Sequence, residues 1–185
     1  MVESQNRRTF LLVHGAWHGP WCWGQVAEAL TSRGHEVHTV QLPGHDQSGE
    51  SRRIWDRPSQ YVAAVAQAVE RCEGPVTLVG HSLGGYVVQR YLENNSVEAA
   101  VLVASLPARG AMGLTLRLLR DEPAVALRCL TTMNYYPLVN SVESVRELFF
   151  RSSTPEEIVV DAAQRMQNES AVAITAMLVR PPRAR

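Results

Sequence analysis

The segment Val76-Thr77-Leu78-Val79-Gly80-His81-Ser82-Leu83-Gly84-Gly85-Tyr86 constrains this chain more than any other. A four-residue apolar run fits a strand buried on both faces. It ends in a glycine-rich turn, and Tyr86, Val87, Tyr91 and Leu92 then recur at helical spacing. Gly80 to Gly84 fits G-x-S-x-G in the strand–turn–helix setting that a nucleophile elbow requires. Strand and helix nearly collide at such a turn, so the positions flanking the serine must lack bulk. Gly80 and Gly84 meet that need. The helix behind Ser82 directs its N-terminal amides toward developing negative charge.

The rest of the first half repeats the same alternation. Residues 9–13 (TFLLV), 36–42 (EVHTVQL) and 99–104 (AAVLVA) read as further strands. Trp23, Val26, Ala27 and Leu30 mark one intervening helix, ended by Gly34. Tyr61, Val62, Val65, Ala66 and Val69 mark another, broken at Gly74-Pro75. Strands alternating with helices predict an α/β fold with a parallel sheet. After Pro107 only helices are expected. Residues 141–150 show one apolar face, and Thr154-Pro155-Glu156-Glu157 reads as a capping box opening the next helix. Residues 171–179 form the last helix before Pro181-Pro182.

Composition narrows the function classes. Eighteen basic residues balance eighteen acidic ones, and no basic run occurs. Phosphate affinity is mostly electrostatic, so no nucleic-acid partner is expected. All the basic residues are arginine, the signature of a GC-rich coding bias, which removes any mechanism that needs a lysine amine. Cys22, Cys72 and Cys129 are odd in number, widely spaced and without a CxxC pair. They read as free thiols in a reducing cytoplasm. The opening MVESQNRRTF has no apolar core after its arginines, so no secretory leader is read there, and no apolar stretch suggests a membrane partner. No metal cluster, dinucleotide fingerprint or phosphate loop is present in the pattern, so neither metal nor cofactor is expected.

His14-Gly15-Ala16-Trp17 follows the first strand. Acyl transfer needs two backbone N–H donors aimed at an oxyanion. Leu83, directly after the serine, supplies one, and Ala16 is the best candidate for the other. The His14 side chain is expected to hold the loop by a hydrogen bond.

With LLVHGAWHGPWCW, LPGHDQSG and VGHSLGGYV in view, the chain resembles the α/β-hydrolase superfamily. The resemblance is to the small-esterase branch that includes plant methylesterases and hydroxynitrile lyases, and it covers roughly residues 9–180. It implies an α/β-hydrolase core over residues 1–109, a helical cap over 110–179 and a tail over 180–185. It also implies Ser82 as the acylated nucleophile, Ala16 and Leu83 as oxyanion donors, and a small apolar ester or acyl substrate. Trp17, His18, Leu116 and Met133 are the candidate pocket residues. The lyases of this branch place a threonine after the first-motif histidine and use a lysine. Gly15 stands in that position here and lysine is absent, which favours ester hydrolysis.

The pattern also breaks. The family order is serine, then acid, then histidine. The histidines stand at 14, 18, 35, 38, 45 and 81, all before Ser82. His18 and His45 are the loop histidines available as a substitute base. One family position for the acid reads Ser105-Leu106, and Asp121 and Asp161 read as surface charges of the cap. The final strands and helices of the fold are missing, and the ending Arg180-Pro181-Pro182-Arg183-Ala184-Arg185 reads either as a frameshifted tail or as a cut in a longer chain. An incomplete sheet leaves Val101, Leu102 and Val103 on an exposed edge, which predicts self-association or a complementing chain there, and marginal stability. Three functions stay open: a serine hydrolase impaired on its own, a non-catalytic binder of small apolar ligands, and an inactive fragment.

Overall fold

The computed structural model describes residues 7–45, 56–105 and 112–183, and only the backbone of residues 112, 114, 115, 118 and 130. Among the described residues four parallel strands form one sheet: β1 (Thr9–Val13), β2 (Glu36–Val40), β3 (Val76–His81) and β4 (Ala99–Val103), in the order β2-β1-β3-β4. The register runs Thr9 against Glu36 and Val76, and Thr77 against Ala99. Three helices connect them: α1 (Gly24–Thr31), α2 (Pro58–Glu70) and α3 (Leu83–Leu92). The apolar runs of β1 and β3 have the double-sided burial expected of central parallel strands. β2 and β4 are the two edges.

Five helices follow: α4 (Met112–Asp121), α5 (Pro123–Thr132), α6 (Val142–Phe149), α7 (Glu156–Arg165) and α8 (Ala171–Val179). Ser141 caps α6 by accepting the Ser144 N–H, as its sequence suggests. The capping box at Thr154 does not form. Pro155 is the N-cap of α7, with no side-chain bond. Arg146 instead donates to the Thr154 carbonyl at 2.9 Å and to Glu156.

Three clusters organise the apolar interior of the described residues, one of them Leu12 and Val79 with Trp23, and the other two are larger. The largest joins β1 and β3 (Leu11, Val13, Leu78) to α2 and α3 (Tyr61, Val65, Tyr86, Val87), and Ala171, Ala173, Ile174 and Met177 of α8 belong to it. The next gathers Val139, Val145, Val159, Ala162 and Met166, with Trp17 and Trp21 packed against it. It therefore seats α6 and α7 on the loop after β1. Residues 1–6, Leu106, the 109/110 division and residues 184–185 lie outside the described residues. Among the described residues no helix is long and apolar enough to cross a membrane.

Candidate active site

Ser82 joins β3 to α3 with φ 50° and ψ −114°, a conformation that L-residues rarely adopt. The surrounding glycines explain how the chain tolerates it. A Cβ at Gly80 would lie 2.7 Å from the Gly84 carbonyl oxygen and the Gly85 Cα. At Gly84 it would strike the carbonyl oxygens of Val13 and His14, and at Gly85 the Ser105 hydroxyl. Backbone thus occupies the space that side chains would need. The Ser82 N–H donates to the Val103 carbonyl at 3.0 Å, and its carbonyl accepts from Tyr86 N–H at 3.1 Å. The backbone of the turn is anchored at both ends while the hydroxyl has no hydrogen-bond partner among the described residues.

The loop after β1 presses against this turn. A Cβ at Gly15 would lie 3.2 Å from Ser82 Cβ and 2.8 Å from His81 Nδ1. The loop is pinned almost atom by atom. His14 Nδ1–H donates to the Gly15 carbonyl at 2.9 Å, and its Nε2 accepts the Leu42 N–H at 3.3 Å. His18 Nδ1–H donates to the Ala16 carbonyl at 2.7 Å. The Trp17 N–H reaches Glu169 Oε2 at 3.4 Å, and the Trp17 carbonyl accepts Gln167 N–H at 2.9 Å. Trp17 itself is held at φ 62°. The N–H groups of Ala16 and of Leu83, the first residue of α3, are left without an acceptor among the described residues.

The histidines around the site are mostly neutral. Burial lowers His14 to about 3 and His18 to about 4. Burial also lowers His81, whose ring stands edge-on to His18 and Trp23. His45 differs. Burial pulls it down most strongly, yet the Glu169 charge and the bonds to Glu169 and Pro43 hold it above the usual histidine range. Its Nδ1–H donates to the Pro43 carbonyl at 3.0 Å and its Nε2–H to Glu169 Oε2 at 2.9 Å. Both nitrogens donate, so this ring is an imidazolium and is not available as a base. No described imidazole hydrogen-bonds the Ser82 hydroxyl.

Glu169 is the centre of this arrangement. Its other oxygen accepts Tyr61 O–H at 2.7 Å and Ser170 N–H at 2.8 Å. The sequence offered no signal for it, because its partners Tyr61 and His45 lie 108 and 124 positions away.

The remaining candidates are scattered. Trp17 and His18 lie on the loop after β1, with Phe149 of α6 edge-on to both rings. Leu116 is 59% exposed on α4. Met133, which ends α5 at φ 51°, lines a cleft whose walls do not include Ser82. Asp121 pairs with Arg117 and Arg120, and Asp161 with Arg165, all at the surface. Among the described residues no group of three or more His, Cys, Asp or Glu is placed to hold a metal ion.

Comparison with known proteins follows the same lines. The chain is 38% identical over 117 residues to the probable esterase PIR7A of Oryza sativa subsp. indica, an alignment covering 58% of this chain and 43% of that protein. It is 36% identical over 117 residues to methylesterase 1 of Arabidopsis thaliana, again covering 58% and 43%. The chain thus spans less than half the length of these curated relatives. Among solved structures, polyneuridine aldehyde esterase superposes with a TM-score of 0.67 at 18% identity, covering 95% of this chain and 74% of that one. The Arabidopsis methylesterase MES16 does so at 0.65 and 21%, covering 95% and 72%. Residues 10–184 match the family described as "Alpha/beta hydrolase family". The parallel sheet and the serine turn agree with that match, and the chain belongs to the alpha/beta hydrolase family.

Proposed function

We propose that this chain carries the nucleophile and oxyanion half of a carboxylic-ester hydrolase acting on a small apolar ester. The observation that carries the reading is the pairing of a strained, unpartnered Ser82 with two acceptor-free amides, one on the next residue and one in the loop whose Gly15 presses against it. Ser82 Oγ attacks the ester carbonyl carbon. The carbonyl oxygen becomes an oxyanion and accepts from the N–H groups of Ala16 and Leu83. Collapse of the tetrahedral species breaks the bond to the alcohol and leaves an acyl-serine, which water then cleaves. Trp17, His18 and Phe149 line the approach. The helices of residues 110–179 act as a cap, which the packing of the α6–α7 cluster on Trp17 and Trp21 supports. The free thiols Cys22, Cys72 and Cys129 fit a reducing cytoplasm.

The proton leaving Ser82 has no acceptor among the described residues, so a base from outside them is needed for full turnover. Removing a triad member leaves a residual acceleration of about 10³–10⁴ over water, from the oxyanion hole and binding alone. Release of p-nitrophenol from p-nitrophenyl acetate by this chain is therefore expected to be slow, saturable and abolished in Ser82→Ala. Equal rates for the two proteins would remove Ser82 from the mechanism. The engagement of His45 by Glu169 favours a second reading, a non-catalytic ligand binder. Saturable binding of the ester by Ser82→Ala, with no turnover by either protein, would establish that reading instead.

A further inference from the structure

Away from Ser82, a cleft of about 570 Å³ opens between α2, α3, α8 and the residue that closes α5. That volume falls within the roughly 300–1,000 Å³ of small-ligand sites. The apolar part of its wall is Met133, Val172, Ala176 and Val179, and Arg57, Arg90, Arg180 and Tyr86 line it as well. Arg90 donates to Glu93 at 2.8 Å, whereas Arg57 and Arg180 have no carboxylate partner among the described residues. Three guanidinium groups against one carboxylate leave two positive charges about the cleft. Burial raises the Tyr86 phenol; Arg90 pulls against that rise, the Glu93 carboxylate adds to it, and Arg180 pulls against it, so both guanidinium groups lie within electrostatic reach of the ring. The Tyr86 hydroxyl has no hydrogen-bond partner among the described residues.

An apolar lining beside two guanidinium groups that have no carboxylate partner, and a phenol that has no hydrogen-bond partner, among the described residues matches one ligand chemistry. We propose that this cleft binds an amphipathic monoanion, a medium-chain alkyl carboxylate. Its head lies on Arg180 beside the Tyr86 hydroxyl, and its chain covers Val172, Ala176 and Met133. The guanidinium group supplies charge-assisted bonds to the carboxylate oxygens. A cationic head on the same chain meets an excess of like charge, three guanidinium groups against the Glu93 carboxylate. The proposal stands apart from the chemistry at Ser82, which does not line the cleft.

Calorimetric titration of the 185-residue chain with decanoate, decyltrimethylammonium and acetate tests it. Decanoate is expected to bind at one saturable site, acetate at least about tenfold more weakly because it lacks the chain, and the cation not at all. Arg180→Gln is expected to weaken decanoate by about tenfold or more, the loss of a bond to a charged group. Ala176→Glu, which adds a like charge to the apolar wall, is expected to abolish binding. Arg180 is exposed and unpaired, so its replacement should leave the melting temperature unchanged and the result readable even if Ala176→Glu fails to fold. Absence of decanoate binding, equal binding of the cation, or decanoate affinity unchanged in Arg180→Gln would each overturn the proposal.

Discussion

Four buried or part-buried histidines set opposite limits on the pH range in which the chain is stable. His14 and His18 titrate at about 3 and about 4 in the folded chain, because burial penalises their charged forms. Unfolded, each titrates near about 6.5. Between these values the unfolded chain binds more protons, so stability falls as pH drops below about 6.5, by up to about 1.4 kcal/mol per pH unit for each ring. His81 acts in the same direction. His45 acts in the other. Its folded pKa is raised, so its contribution is complete below the unfolded value and is lost as pH rises through the folded one. Urea midpoints measured across pH should therefore form a dome with its top at or above about pH 6.5. His14→Gln should flatten the acid limb, and a limb of unchanged slope would show that His14 is charged in the fold. Glu169→Ala should cost about 3–5 kcal/mol, because it strands the His45 imidazolium in the interior. That is a large share of the roughly 5–15 kcal/mol that holds a domain together. A loss below about 1 kcal/mol, the size of an exposed ion pair, would show that the network contributes no more than a surface contact.

At the scale of elements, the turn holding Ser82 exists because strand and helix meet backbone to backbone. Gly84→Ala would force a methyl group onto the carbonyls of Val13 and His14, which belong to another element and cannot swing aside. Its expected cost is about 1–3 kcal/mol or more. Gly24 opens α1 at φ −49° with nothing within 4 Å of its would-be Cβ. Gly24→Ala should stabilise by up to about 1 kcal/mol, through helix propensity. Thermal melts of the two variants that moved together would contradict this account of the elbow. The contrast also shows what was legible in the sequence. The G-x-S-x-G turn and the strands beside it could be read because short-range pattern dictates them: apolar runs for strands, missing side chains for the turn. β1 has the bounds its apolar run implies, and α8 those of its own. The Thr154 box does not form: Pro155 is the N-cap of α7, and Arg146, from the preceding helix, holds the Thr154 carbonyl and Glu156 in contacts no local pattern encodes. Glu169 was illegible for the same reason: a buried carboxylate is defined by partners brought together only by folding. The crowding at Gly15 is a further case, since a glycine after a histidine says nothing until Ser82 is set against it.

The whole molecule is shaped by the difference between its two halves of sheet. β1 and β3 are covered on both faces, but along β4 Val101, Leu102 and Val103 are 46%, 44% and 41% exposed. Successive residues of a strand face opposite sides, so both faces of β4 are open, and its outer backbone edge has no strand partner among the described residues. Natural edges are protected by charge, proline or a bulge. β4 reads Ala-Ala-Val-Leu-Val and has no charged residue or proline. Nor does net charge keep copies apart, since acidic and basic residues balance at eighteen each. The same edge also bears on the candidate site, because the Val103 carbonyl holds the Ser82 N–H. The expected behaviour is association that grows with protein concentration near neutral pH. Leu102→Lys should suppress it, because a charged side chain on the edge cannot be buried against a second strand. It should do so with little change in melting temperature, since Leu102 already lies largely in solvent. Size-exclusion chromatography with light scattering, run on both proteins across the accessible concentration range, separates the outcomes. A wild-type chain that stays monomeric throughout would mean that the open faces of β4 do not drive pairing. Association equal in Leu102→Lys would move the interface elsewhere on the molecule.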